Sequence, residues 1–269
     1  MLDEQLNGLE SREKQLRKVF NFEKIEPNCK KEYLKIKLDL PFEEMAKDIP
    51  LAFKEFGWYG MVHRRHTEWI RSPVYGGLGL TYNPNYKFDI PKHAQGLGQP
   101  RTDVNLRGKD TYDDCLGLRS PTDVTKFRSF KLFFDKLKLQ YFQGRFAEVK
   151  AAEHGSKITE DNKEFIWHTD EPNEIISRLL IPIIYDEDYW IELESGNKIY
   201  FEPGYAYHWD TFKPHRWNFK YHSNIKNRTC IVLGWAPWLR YENNEWFKTD
   251  YFNKKHPMDI VNEGLLIKN

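Results

Sequence analysis

A chain of 269 residues can hold one large domain or two small ones, and 41 Lys and Arg against 40 Asp and Glu leave a net charge of only +1. That balance excludes a global field drawing the chain to nucleic acid or to an anionic membrane, and an aromatic content of 16 % argues for a strand-rich or pocket-rich interior over disorder. Cys29, Cys115 and Cys230 are odd in number and contain no C-x-x-C pair, and no apolar stretch approaches the roughly 20 residues of a membrane span or a leader's core. The expectation is a soluble cytoplasmic protein.

Residues 1–20 carry Leu2, Leu6, Leu9, Leu16 and Phe20 at loose three-to-four spacing, which predicts a short amphipathic helix or a frayed arm. Residues 32–40 alternate through Tyr33, Ile36, Leu38 and Leu40 among lysines, as a strand ended by Pro41 does. From Pro41 to Phe56 the apolar spacing is helical, with Pro50 predicted to kink or split the helix. Residues 57–125 show little periodicity and are punctuated by Gly57, Gly60, Gly76, Gly77, Gly79, Gly96 and Gly98, so ordered loops are expected, with 57–120 covering a site and setting its selectivity. His63-Arg64-Arg65-His66 reads as a solvated patch, and the glycines around 76–79 lack the lysine and Ser/Thr of a phosphate loop.

A helix is predicted from Pro121-Thr122-Asp123 with Phe127, Phe130, Leu132, Phe133, Phe134 and Leu137 on its apolar side. A strand follows over 141–151, in which either Arg145 or Lys150 could face a cavity, with solvent exposure the default expectation. Strand-like runs then recur at short spacing from Phe165 to Gly234 between Pro and Gly turns, the pattern of an antiparallel sandwich or barrel. Residues 241–269 are expected to form a polar tail that packs back as a short helix. The domain reading is a single unit over 1–269: helices and loops to 140, a β core over 141–240, and the tail.

The chemistry concentrates in that core. In His168-Thr169-Asp170 the outer two residues share a strand face, so an imidazole and a carboxylate aim at one point. His215 lies 47 residues on, far enough for strands to fold back and bring a second imidazole alongside. Two imidazoles and one carboxylate leave coordination positions open and suit non-haem Fe(II). An H-x-D triplet alone is common, and His208-Trp209-Asp210 is a second one. The first is preferred because Arg228, 13 residues after His215, opens the β-branched run Thr229 to Val232, where a planar guanidinium can hold a carboxylate by two parallel bonds. Trp167, Trp209 and Trp217 flank these motifs and are read as core.

At these residues the sequence resembles the cupin-superfamily 2-oxoglutarate/Fe(II) oxygenases, in particular the aspartyl/asparaginyl β-hydroxylase-like and proline cis-hydroxylase branch. The shared order is the H-x-D, the Arg178-x-x-x-Pro182 strand, the Pro203-Gly204 turn, Thr211 to Asn218, and the arginine opening the last core strand, over roughly residues 141–240. The chain departs from that pattern before His168, where the polar stretch Thr159 to Glu164 is inserted. The resemblance implies a double-stranded β-helix (jelly roll) with flanking helices, and Fe(II) held by His168, Asp170 and His215. It places Arg228 on the distal carboxylate of 2-oxoglutarate and Arg178 on cosubstrate or substrate, with a structural salt bridge to a nearby acid as the equal alternative for Arg178. The implied reaction is hydroxylation of a C–H bond in a small-molecule, amino-acid-like or peptidyl substrate by O2, with 2-oxoglutarate decarboxylated to succinate. No nucleic-acid or membrane partner is expected. Two other readings stay open: a non-catalytic cupin-fold binding protein, and a metal-dependent cupin enzyme that does not use 2-oxoglutarate.

Overall fold

Alternation of side chains along the strands sorts this chain into two facing sheets. They are seen in a computed structural model that describes residues 21, 23–65, 68–85, 90–97, 117–137, 140–155, 165, 167–170, 173–174, 176–242 and 245–265. In chain order the elements are β1 (Tyr33–Lys37), α1 (Phe42–Phe56), β2 (Tyr59–Arg65), β3 (Glu68–Gly79), β4 (Thr81–Tyr82), β5 (Ser120–Pro121), α2 (Arg128–Lys136), β6 (Tyr141–Val149) and α3 (Ala151–His154). There follow β7 (Ser177–Ile184), β8 (Tyr189–Leu193), β9 (Lys198–Tyr200), β10 (Tyr205–Trp209), β11 (His215–Phe219), β12 (Arg228–Trp235), β13 (Leu239–Glu242), β14 (Glu245–Lys248) and α4 (Pro257–Asn262).

The major sheet runs β1-β10-β7-β12-β6-β3-β2 and the minor sheet β11-β8-β9, with antiparallel pairing throughout. One core fills the gap between the sheets: Leu180, Tyr207, Cys230, Val232, Ala147 and Val149 from the major sheet meet Tyr189, Ile191, Ile199 and Trp217 from the minor. A second core lies on the outer face of the major sheet, where Phe146, Leu179, Ile181, Ile231 and Leu233 pack against residues of α1, α2 and α4. Covered on both faces, β12 reads as an unbroken apolar run after its first residues, because its inward and outward positions must both be water-free. The result is the mainly β, jelly-roll architecture expected.

Several expectations need correction. The stretch expected to form loops contributes β2 and β3, which extend the major sheet beyond β6. Gly57 does end α1, but Gly76 and Gly77 of β3 punctuate nothing: a Cβ on Gly76 would sit 2.3 Å from the Tyr59 carbonyl oxygen, and one on Gly77 2.0 Å from that of Phe146. They are there because neighbouring backbones approach too closely for any side chain. The rest of the anticipated cover, residues 98–116, lies outside the described residues, as do residues 1–20 and the insertion at 159–164.

Helix α1 runs through Pro50 unsplit. Proline leaves the Ala46 carbonyl without its helical donor, but Met45, Ile49 and Ala52 are fully buried on one face and hold the turns together. The tail begins as the β13–β14 hairpin before α4 docks, with His256 capping α4 by accepting from the Met258 amide at 3.1 Å. None of the helices among the described residues is long and apolar enough to cross a membrane.

Candidate active site

His168 is joined to the edge of the minor sheet by a bridge to His215, in which each residue donates its amide to the other's carbonyl at 3.0 Å. This pairing sets the two imidazoles side by side, with ring centroids 4.5 Å apart and planes inclined by 51°. Asp170 is fixed two residues on by its amide, which donates to the Thr211 carbonyl at 2.8 Å. Its Oδ2 lies 3.9 Å from His215 Nε2, within the span of two bonds of about 2 Å to a common ion. The structure therefore brings His168, Asp170 and His215 together. Their donor types suit a resident ion. His215 Nδ1 lies 3.0 Å from the Lys213 carbonyl, which can only accept, so Nδ1 carries a proton and the ring is held by it.

Arg178, on the inward face of β7, reaches across from the major sheet and places Nε 3.0 Å from Asp170 Oδ2. Its NH1 also approaches Gln143 Oε1 at 3.4 Å. Gln143 holds a left-handed backbone, φ +50, where β6 carries one more residue than β12 between the Arg145–Val232 and Phe142–Gly234 pairs. Such a bulge re-aims side chains, and a non-glycine residue in this conformation stores about 1 kcal/mol or more.

Deeper in the gap lies Arg228, 0 % exposed. None of its three guanidinium nitrogens has a hydrogen-bond partner among the described residues. Its Cζ is 3.3 Å from the centroid of the Trp217 ring and 6.0 Å from that of Tyr189. Trp217 is two residues after His215 on the same face of β11, so the tryptophan read as simple core is also the platform under the buried cation. Stacking offsets only part of the burial: a cation–π contact contributes up to about 2 kcal/mol when desolvated, whereas an unpaired buried charge costs several. The burial cost of the Arg228 guanidinium is therefore only partly offset among the described residues. Burial pushes the Cys230 thiol up to about 11 despite Arg228 two residues away, so it is no nucleophile at neutral pH.

His208 and His222 go elsewhere. His208 lies fully buried on the opposite face of β10, its Nδ1 2.7 Å from the Arg178 carbonyl, and burial lowers its pKa to about 4. His222 forms a separate cluster with Asp186 and Asp188, at 3.7 and 3.2 Å, beyond the end of β7 remote from Arg178. A groove of about 730 Å³ lined by Glu55, Phe56, Asp123, Lys126 and Tyr141 shares no residue with the site. Arg145, expected in solvent, is half-buried and points inward, as its pairing with Val232 and its spacing from Ala147 and Val149 require. The register gave no sequence signal, because the bulge at Gln143 resets it.

No protein-family model and no curated protein matches the sequence. Among solved structures, a prolyl hydroxylase from Trichoplax adhaerens in complex with a hypoxia inducible factor peptide fragment is similar at TM-score 0.41 and 11% identity, over 86% of this chain and 91% of that one. A full-length Neurospora crassa protein in complex with alpha-KG follows at 0.39 and 13%, over 87% and 86%. A Pseudomonas putida prolyl-4-hydroxylase gives 0.34 and 9%, over 77% and 92%. Likeness this slight leaves the chemistry to be read from the side chains.

Proposed function

We propose that the protein is a 2-oxoglutarate- and Fe(II)-dependent oxygenase that hydroxylates a C–H bond of a small-molecule, amino-acid-like or peptidyl substrate. The observation that carries this reading is Arg228: a fully buried guanidinium with no hydrogen-bond partner among the described residues, in the same gap as the neighbouring His168 and His215 imidazoles and the Asp170 carboxylate. A non-catalytic module has no use for that combination, and a cupin enzyme without a dicarboxylate cosubstrate has no use for the arginine.

His168, Asp170 and His215 would hold the iron. When bound, Fe(II) supplies the activation of O2, coupled to oxidative decarboxylation of 2-oxoglutarate to succinate and CO2, with one oxygen atom delivered to the substrate. The chain supplies placement. Arg178 fixes the Asp170 carboxylate, and the Lys213 carbonyl keeps the His215 proton on Nδ1. Arg228 receives the far carboxylate of the cosubstrate in a planar fork. Trp217, Ile191, Leu180 and Val232 line the gap and exclude water, which strengthens that charge pairing. Asp170 supports hydroxylation over halogenation, since a carboxylate there leaves no vacant place for a halide.

The test is succinate formation by the Fe(II)-loaded chain, with 2-oxoglutarate titrated into the Mn(II)-loaded chain. Saturable binding and succinate release support the reading; absence of both removes it.

A further inference from the structure

Arg145 is the inward-facing cation with no role in the reading above. It lies on β6 opposite Val232 of β12 and Gly79 of β3, neither of which offers it a charge. Its Nε is buried without a hydrogen-bond partner, and no ion pair to it is seen among the described residues. The side chain is half-buried, on the inward face of β6 that also carries Ala147 and Val149. Arg178, three strand positions away through Leu180 and Val232, is already committed to Asp170 and Gln143. The buried Glu148 cannot answer Arg145: it is three residues along β6 and on the outer face, beside Thr229, with its carboxyl pushed up by burial.

We infer that Arg145 takes the anionic group of the primary substrate, which makes that substrate a carboxylate-bearing small molecule. This rests on the oxygenase reading. In that reading both ends of the cosubstrate are already satisfied, one at the metal that His168, Asp170 and His215 would hold and the other at Arg228. With the cosubstrate in place, Arg145 still adds an unanswered positive charge to the gap, and the remaining participant able to neutralise it is the substrate. The bulge at Gln143 is what makes the position available. The extra residue of β6 turns Gln143 toward Arg178 while Arg145 keeps its inward register.

The experiment uses the full-length Fe(II)-loaded chain, saturated with 2-oxoglutarate, and the twenty protein amino acids together with simple C3 to C6 carboxylic acids, each beside its amide. Succinate formation above the substrate-free rate is the readout, compared in wild type, Arg145→Gln and Arg145→Lys. The affinity for 2-oxoglutarate of each Mn(II)-loaded variant is measured in parallel.

At least one acid is expected to stimulate turnover while its amide is tenfold or more poorer in kcat/KM. Arg145→Gln should raise KM for that acid by roughly tenfold or more with kcat little changed, and Arg145→Lys should recover part of the loss. The affinity for 2-oxoglutarate should stay within about twofold. Equal use of acid and amide, an unchanged KM in Arg145→Gln, or no stimulation by any carboxylate would overturn the assignment. So would a loss that falls on 2-oxoglutarate instead. A wild type that binds no 2-oxoglutarate fails earlier, at the oxygenase reading, and takes this proposal with it.

Discussion

Replacing Arg228 by methionine separates the two things a buried arginine can be. If it is structural, its removal destabilises the protein and leaves 2-oxoglutarate binding alone; if it is an anion receptor, the reverse holds. The guanidinium is 0 % exposed and has no hydrogen-bond partner, so Arg228→Met removes an uncompensated charge and keeps most of the volume packed on Trp217. Substituting a hydrophobe of similar size for a buried charge is often neutral or stabilising. The unliganded variant should therefore be at least as stable as wild type. A charge-assisted bond from a buried arginine contributes roughly 1.5 to 3 kcal/mol, so affinity for 2-oxoglutarate should fall about ten- to a hundredfold. At a concentration of 100 times the wild-type Kd, ligand stabilises wild type by about 2.7 kcal/mol; in the variant that shrinks to between about 0.4 and 1.4. Thermal unfolding of the Mn(II)-loaded proteins with and without 2-oxoglutarate measures both quantities. An Arg228→Met chain that is several kcal/mol less stable when unliganded yet shows the full 2-oxoglutarate shift would refute the reasoning.

His215→Ala should abolish Mn(II) binding and succinate formation with little change in circular dichroism, whereas His222→Ala should keep both; the opposite pattern would move the metal to the Asp186–Asp188–His222 cluster. Gly77→Ala forces a side chain into a backbone at φ +148, 2.0 Å from the Phe146 oxygen, and should cost about 2 kcal/mol or more in denaturant unfolding. Burial depresses the folded-state pKa of His208 from 6.5 to about 4. It therefore contributes stability that is fully present above about pH 6.5 and lost as pH falls toward 4, up to roughly 3 kcal/mol. His208→Gln should flatten that decline, and an unchanged pH dependence in the variant would sink the assignment.

The fold class and the neighbourhood of His168, Asp170 and His215 were legible in the sequence, whereas strand-to-strand register was not, for a physical reason. His168 and Asp170 share a face by the period of two, and the strand that carries Arg178 needs only a hydrophobic run to be seen. Features that depend on how one strand lies against another leave no such mark. The glycines of β3 looked like loop because close backbone approach and a flexible turn both select glycine. Arg145 looked like a surface residue because polar residues alternate along β6, and only the bulge at Gln143 decides which face they take. Trp217 is the intermediate case. Its place two residues after His215 puts it on the same side of β11 as that imidazole, but its partner across the gap, Arg228, is visible only once β12 is seen to enter the opposite sheet. That crossing gives the 13-residue spacing its meaning. The chain leaves His215 along β11, turns beyond Phe219, and re-enters on β12 with Arg228 level with Trp217. The depth from His215 to the Arg228 guanidinium is therefore set by two residues of strand, roughly 7 Å. Under the proposed oxygenase reading a five-carbon diacid would span that depth, one end at the metal that His168, Asp170 and His215 would hold and the other at Arg228, so the spacing would match the proposed cosubstrate.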